Sequence, residues 1–147
     1  MRKIIIIGCP GSGKTTFSIK LASLTGLPLI HLDATYHQSH WSPDPVTKKE
    51  QWSAYVTALL KGERWIMDGN YKNTMAMRIA AADTVIFLDY PRWLSLWRAL
   101  RRRWQYRSTS RSDMPTTWKE RISWDFLTFI WHYHKEQRPQ VLELLKK

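Results

Sequence analysis

Four short apolar runs, Lys3–Gly8, Pro28–Asp33, Arg64–Asp68 and Thr84–Asp89, punctuate the first part of the chain. Each is nearly continuous in hydrophobicity rather than alternating, as expected of strands buried on both faces of a parallel sheet. Helical spacing fills the gaps between them. Phe17, Leu21 and Leu24 recur at one helical face, and Gly26 followed by Pro28 ends that helix. Trp52, Val56, Leu59 and Leu60 mark a second helix that stops at Gly62, and a shorter one fits Asn73–Ala82. Strand and helix alternate throughout, which predicts a layered α/β fold with right-handed crossovers.

Beyond Asp89 the character changes. Pro91 can open a helix at its first turn. Trp93, Trp97, Leu100 and Trp104 share one face of that helix, a spacing that predicts core packing ahead of base stacking. A polar loop, 106–117, carries Arg107 and Arg111. A long helix from about Trp118 to Gln137 is apolar most of the way round, which predicts packing on two sides or an interface, with a homodimer as one reading. A helical tail follows Pro139, and no fifth strand is legible.

Length sets a single domain, 1–147, with room for a sizeable core. The longest apolar run near the N-terminus is Ile4 to Ile7, far short of a membrane span, and no cleavage-site pattern follows it. The expectation is a cytoplasmic protein with no membrane partner. One cysteine, Cys9, excludes an internal disulfide and a cysteine zinc cluster. The pairs His37/His40 and His132/His134 lack a third ligand at metal spacing. A net charge of +11 favours polyanionic partners, nucleotides or nucleic acid, and says nothing about fold.

The chemistry concentrates in GCPGSGKTT, Gly8 to Thr16, between the first strand and the first helix. It fits the pattern G-x-x-x-x-G-K-[ST], in which each residue type has a physical task. Glycines let backbone N–H groups approach phosphate oxygens, and the following helix turns its positive end to the anion. Gly8, Pro10, Gly11, Ser12, Gly13, Lys14, Thr15 and Thr16 are therefore expected to hold ATP. Lys14 reaches the β and γ phosphates, and the Thr15 hydroxyl meets Mg2+. Cys9 reads as loop filler, with a redox thiol as the alternative.

Such a site also needs a carboxylate. Asp33, Asp68 and Asp89 end strands, hence lie at the ligand edge of a parallel sheet. Asp68 precedes Gly69 and is the expected Mg2+ partner, directly or through water. Asp33 is the expected base for an acceptor hydroxyl, and Asp89 reads as a turn residue. His37 and Trp41 follow Asp33 and reach either the acceptor or the loop itself. Seven arginines lie between Arg92 and Arg111 with no acid among them. With Trp93 at 0°, Arg98 and Arg102 fall near ~140° and ~180°, together on the face away from the tryptophans. Arginines one turn apart suit phosphate clamping, against the alternative of a solvated basic face.

These residues together resemble a known family. The loop GCPGSGKTT, the segment HLDATY, WIMDGNY with Arg78 beyond it, and FLDYPRWLSLWRALRRR are similar to the DNA topology modulation proteins, adenylate-kinase-like P-loop kinases. The resemblance runs from about Lys3 to Leu145 and implies a three-layer P-loop NTPase fold with a parallel sheet ordered 2-3-1-4. It implies a helical, arginine-rich lid at about 92–117, with Arg98 and Arg102 contacting phosphates during catalysis. It implies ATP with Mg2+, Asp68 organising metal-bound water, and an acceptor held by Asp33, Asp68, Gly69, Asn70 and Arg78. Two departures stand out. The family's fifth strand is missing, so the chain reads as shortened. The acceptor-side G-F-P-R of nucleoside monophosphate kinases is replaced by Gly69-Asn70-Tyr71-Lys72. The expected function is γ-phosphoryl transfer from ATP to a small acceptor, with an ATP-dependent, DNA-associated regulator as the alternative.

Overall fold

A computed structural model describes residues 1–38, 41–105 and 124–146. Four parallel strands, β1 (Lys3–Gly8), β2 (Leu29–His31), β3 (Trp65–Asp68) and β4 (Thr84–Leu88), form one sheet in the order β2-β3-β1-β4. The expected order is therefore the observed one. Four helices join or follow the strands: α1 (Lys14–Thr25), α2 (Leu32–Gln38), α3 (Pro45–Leu60) and α4 (Lys72–Ala81). Three more come after β4: α5 (Arg92–Gln105), α6 (Trp124–Glu136) and α7 (Arg138–Leu145). The expected loop 106–117, with Arg107 and Arg111, and the expected start of the long helix at Trp118 lie outside the described residues.

Ile4, Ile5, Ile6 and Ile7 are fully buried because β1 is central and covered on both faces. Their side chains alternate between two cores. Ile4 and Ile6 join Ile66 and Leu27 under α1. Ile5 packs with Trp65 and Met67, and Ile7 with Met75 and Val141, on the opposite face. In the row Ile6, Asp68, His31 the three residues are register partners across β1, β3 and β2. In-register neighbours point to one face, so Asp68 and His31 lie on the α1 side with Ile6.

Three sequence expectations are corrected here. Of the stripe Phe17, Leu21, Leu24 only Leu21 packs on the core, since Phe17 and Leu24 are exposed and Ser18 is fully buried. The phosphate-loop turn fixes where α1 starts, and that phase brings Ser18 over the sheet. The tryptophan stripe of α5 is also outward. Trp93, Trp97, Leu100 and Trp104 are exposed, whereas Ser95 and Ala99 are fully buried. Only small residues allow the α5 backbone to lie against the loop after β1, so the bulky side is turned away. Finally, β2 ends at His31, and Asp33 sits in the first turn of a helix, α2, that the sequence pattern did not reveal.

Candidate functional site

The loop Gly8–Gly13 wraps from β1 into α1. Gly13 caps the helix with φ 89° and gives no side-chain hydrogen bond to the first turn, which also holds no acid. That end of α1 is thus left to an anion by its local sequence. The Lys14 ammonium lies over the loop and donates to the Gly8 and Cys9 carbonyls at 2.9 and 3.1 Å. The Ser12 hydroxyl is buried without a hydrogen-bond partner among the described residues. A Cβ added at Gly11 would come within 2.3 Å of the Ser95 carbonyl oxygen, so the loop and α5 are in backbone contact there.

Asp68 is almost fully buried beneath α1. Its Oδ2 receives the Ser18 hydroxyl at 2.9 Å and lies 3.2 Å from His31 Nδ1. Ser18 Oγ is also 2.9 Å from the Thr15 carbonyl, which ties this carboxylate to the first turn of α1. Oδ2 is committed to the protein, and none of the described residues donates to Oδ1. Among the described residues no three His, Cys, Asp or Glu side chains form a metal cage. One carboxylate and the Thr15 hydroxyl are nevertheless what Mg2+ needs, because it keeps most of its shell as water and phosphate oxygen. Ser18 and His31 were not singled out from sequence. A β2 that stops before Asp33 would have found His31, since it then becomes the in-register neighbour of Asp68.

Arg98 reaches the phosphate loop from α5. Its Nη1 donates to the Ser12 carbonyl at 3.2 Å, and its guanidinium stacks 4.8 Å above the Tyr90 ring. Arg102 belongs to α5, with its side chain outside the described residues. Asp89 is paired instead with the start of α7, its carboxylate bound by Arg138 Nε at 2.8 and 2.9 Å. Cys9 is buried, and desolvation pushes its thiol up to about 11, which leaves it protonated at neutral pH and removes the redox reading.

The segment after β3 is organised by Arg78. Its guanidinium is fully buried and donates to the Gly69 carbonyl at 2.9 Å and the Tyr71 carbonyl at 3.0 Å. Burial pulls it down to about 10, still charged at neutral pH. Arg78 therefore holds the segment's backbone. Asn70 is tied to the phosphate loop: Gly8 N–H donates to its Oδ1 at 3.1 Å, and its Nδ2 donates to the Gly8 carbonyl. Tyr71 turns the other way and packs on Trp52 and Tyr36 with ring centroids 4.8 and 5.0 Å apart. Its hydroxyl lies near exposed Asp33, and burial, together with that carboxylate's charge, pushes it upward. His37 is held below its usual value, chiefly by burial, next to Asp33. Trp41 anchors its own loop, donating to the Tyr36 carbonyl at 2.8 Å.

Solved structures share this fold. A shikimate kinase from Bacteroides thetaiotaomicron superposes with a TM-score of 0.63 at 18% identity, over 92% of this chain and 79% of its own. A candidate kinase from Chloroflexus aurantiacus does so at 0.51 and 23% identity, over 86% and 76%. The chain has the fold of the P-loop kinases. At these identities the likeness is one of fold. No protein-family model matches the sequence, and no curated protein matches it. No helix among the described residues is long and apolar enough to cross a membrane.

Proposed function

We propose that this chain is an ATP-dependent phosphotransferase that moves the γ-phosphoryl group to a small acceptor. The observation that carries the reading is the convergence on one loop of the uncapped start of α1, the Lys14 ammonium and Arg98, with the buried Asp68 tied to the same helix turn through Ser18. Phosphoryl transfer asks a protein for positioning and charge stabilisation, and these groups provide both. Gly8 to Thr16 bind the phosphate chain, and Lys14 with Arg98 stabilises charge on the transferred group. Arg102, one helical turn further along the α5 sequence, is the second arginine of this proposal. Mg2+, when bound, supplies further neutralisation, with Thr15 and Asp68 Oδ1 as the chain's contributions to its shell. Asp33 accepts the acceptor's proton, and Gly69, Asn70 and the Arg78-braced backbone form the acceptor side.

The test is ADP production from Mg·ATP against nucleosides, nucleotides, shikimate-like compounds and sugars, beside Lys14→Ala. Turnover that requires one acceptor, and drops at least ~10³-fold in the variant, supports the reading. Slow, acceptor-independent hydrolysis across the whole panel counts against it.

His31 gives a second expectation. His31→Leu removes a contact to Asp68 and should raise about tenfold the Mg2+ concentration for half-maximal ATP binding. His31→Asn places an amide nitrogen where Nδ1 was and should restore most of it. Equal behaviour of the two variants would mean that His31 does not orient Asp68.

A second reading, an ATP-dependent nucleic-acid-associated regulator, is favoured by the exposed Trp93, Trp97 and Trp104, with the Arg101 guanidinium 5.4 Å above the Trp97 ring. An open hollow of about 640 Å³ lies there, between Trp97, Leu100, Arg101 and Trp104, and shares no residue with the phosphate loop. Steep loss of single-stranded DNA binding with salt would support it.

A further inference from the structure

A smaller cavity, about 230 Å³, opens between α4, α6 and α7. Met75, Tyr133 and Val141, all buried, make its floor. Asn70, Lys72, Phe129 and Gln137 make its rim, with Lys72 and Phe129 exposed. Apart from Asn70, none of these side chains belongs to the site built above. Apolar floor and polar rim are the anatomy of a small-molecule site.

The cavity's position relative to the phosphate loop is fixed by one oxygen. The Gly8 carbonyl accepts from Asn70 Nδ2 and from Lys14 Nζ. Two donors on one carbonyl lie about 4–5 Å apart, so a rim residue of the cavity sits beside the ammonium expected to meet the γ-phosphate. The chain direction after β3 fits as well. Tyr71 turns toward Trp52 and Asp33, while Asn70 and Lys72 on either side of it line the cavity.

We infer that this cavity is a binding site for a small, flat, aromatic or heteroaromatic anion, on the side of the segment away from Asp33. The inference does not rest on the phosphotransferase reading. The shape argument comes from two rings. Phe129 and Tyr133 meet edge to face, with centroids 6.2 Å apart and planes at 77°. They form a corner into which a third ring stacks on one and presents an edge to the other. The Met75 side chain on the floor adds a polarisable surface that suits a ring. Charge comes from the Lys72 ammonium at the mouth, in a chain of net charge +11. Asn70 and Gln137 add amide groups at the rim, where a ring substituent would meet them. The volume admits one ring with one or two substituents and excludes a second nucleotide.

The experiment is an NMR titration of the full chain with nicotinate, beside nicotinamide as the uncharged ring and cyclohexanecarboxylate as the non-planar anion. Nicotinate should bind in the low millimolar range, as suits nine heavy atoms, and more tightly than either control. Phe129→Ala and Lys72→Gln change exposed side chains, and each should weaken nicotinate about fivefold. Circular dichroism checks that both variants stay folded. Equal binding of all three probes, no binding of nicotinate, or indifference to both variants overturns the inference. ATP titrated separately keeps the two ideas apart. Loss of ATP binding or transfer sinks the kinase reading and leaves the cavity result standing, and the converse holds equally.

Discussion

Arg78→Met should lower the unfolding free energy by about 1–3 kcal/mol, because the buried Gly69 carbonyl is left without its donor. The Tyr71 carbonyl also loses the guanidinium but keeps the Thr74 N–H at 3.2 Å, and the aliphatic replacement fills most of the space without serving either oxygen. The guanidinium is itself penalised by burial, as its depressed proton affinity shows, so methionine recovers part of that cost. The loss dominates, since Arg78 is what fixes the backbone between Asp68 and Tyr71. A urea titration measures it. A shift under ~1 kcal/mol, within the scatter of ordinary surface changes, would mean that the segment keeps its shape unaided. Phosphoryl transfer should fall further than the folded fraction does, because Asp68, Gly69 and Asn70 all lose their support together.

Gly11→Ala is the second large effect. Gly11 has φ 82°, and its added Cβ would stand 2.3 Å from the Ser95 carbonyl oxygen. The left-handed backbone alone costs about 1–2 kcal/mol for alanine. The collision adds to it, because neither partner is the end of a flexible side chain. Relief requires α5 to move off the loop, and Arg98 leaves the Ser12 carbonyl with it. The variant should lose at least ~2 kcal/mol of stability and bind ATP more than tenfold less tightly by calorimetry. Truncating Ser95 to glycine should not rescue it, as the obstacle is a main-chain oxygen. Rescue by that double variant would place the contact elsewhere.

The strands were legible because buried parallel strands write themselves as unbroken apolar runs, and the sheet's edges at His31 and Leu88 lie within two residues of the expected ones. The phosphate loop was legible because backbone geometry demands glycine at fixed spacing. Failures came where packing, and not periodicity, chooses the buried face. Ser18 is inside α1 because it meets Asp68, and no hydrophobicity pattern marks a buried serine. Ser95 and Ala99 are inside α5 because a backbone must come close, so the tryptophans that dominate the pattern face out. The resemblance assigns Arg78 to the acceptor, and no spacing in the sequence marks the two main-chain carbonyls that it binds.

The central place of β1 bears on how the chain comes to be folded. β1 leaves the ribosome well before its neighbours in the sheet, which begin at Trp65 and Thr84. Contacts so distant in sequence close late and slow the search for the native topology. Until then Ile4–Ile7 is a bare β-prone stretch, the kind of segment that pairs with other chains. Refolding yield should therefore fall with protein concentration, and a chaperone that shields Ile4–Ile7 until β3 and β4 are in place should raise it.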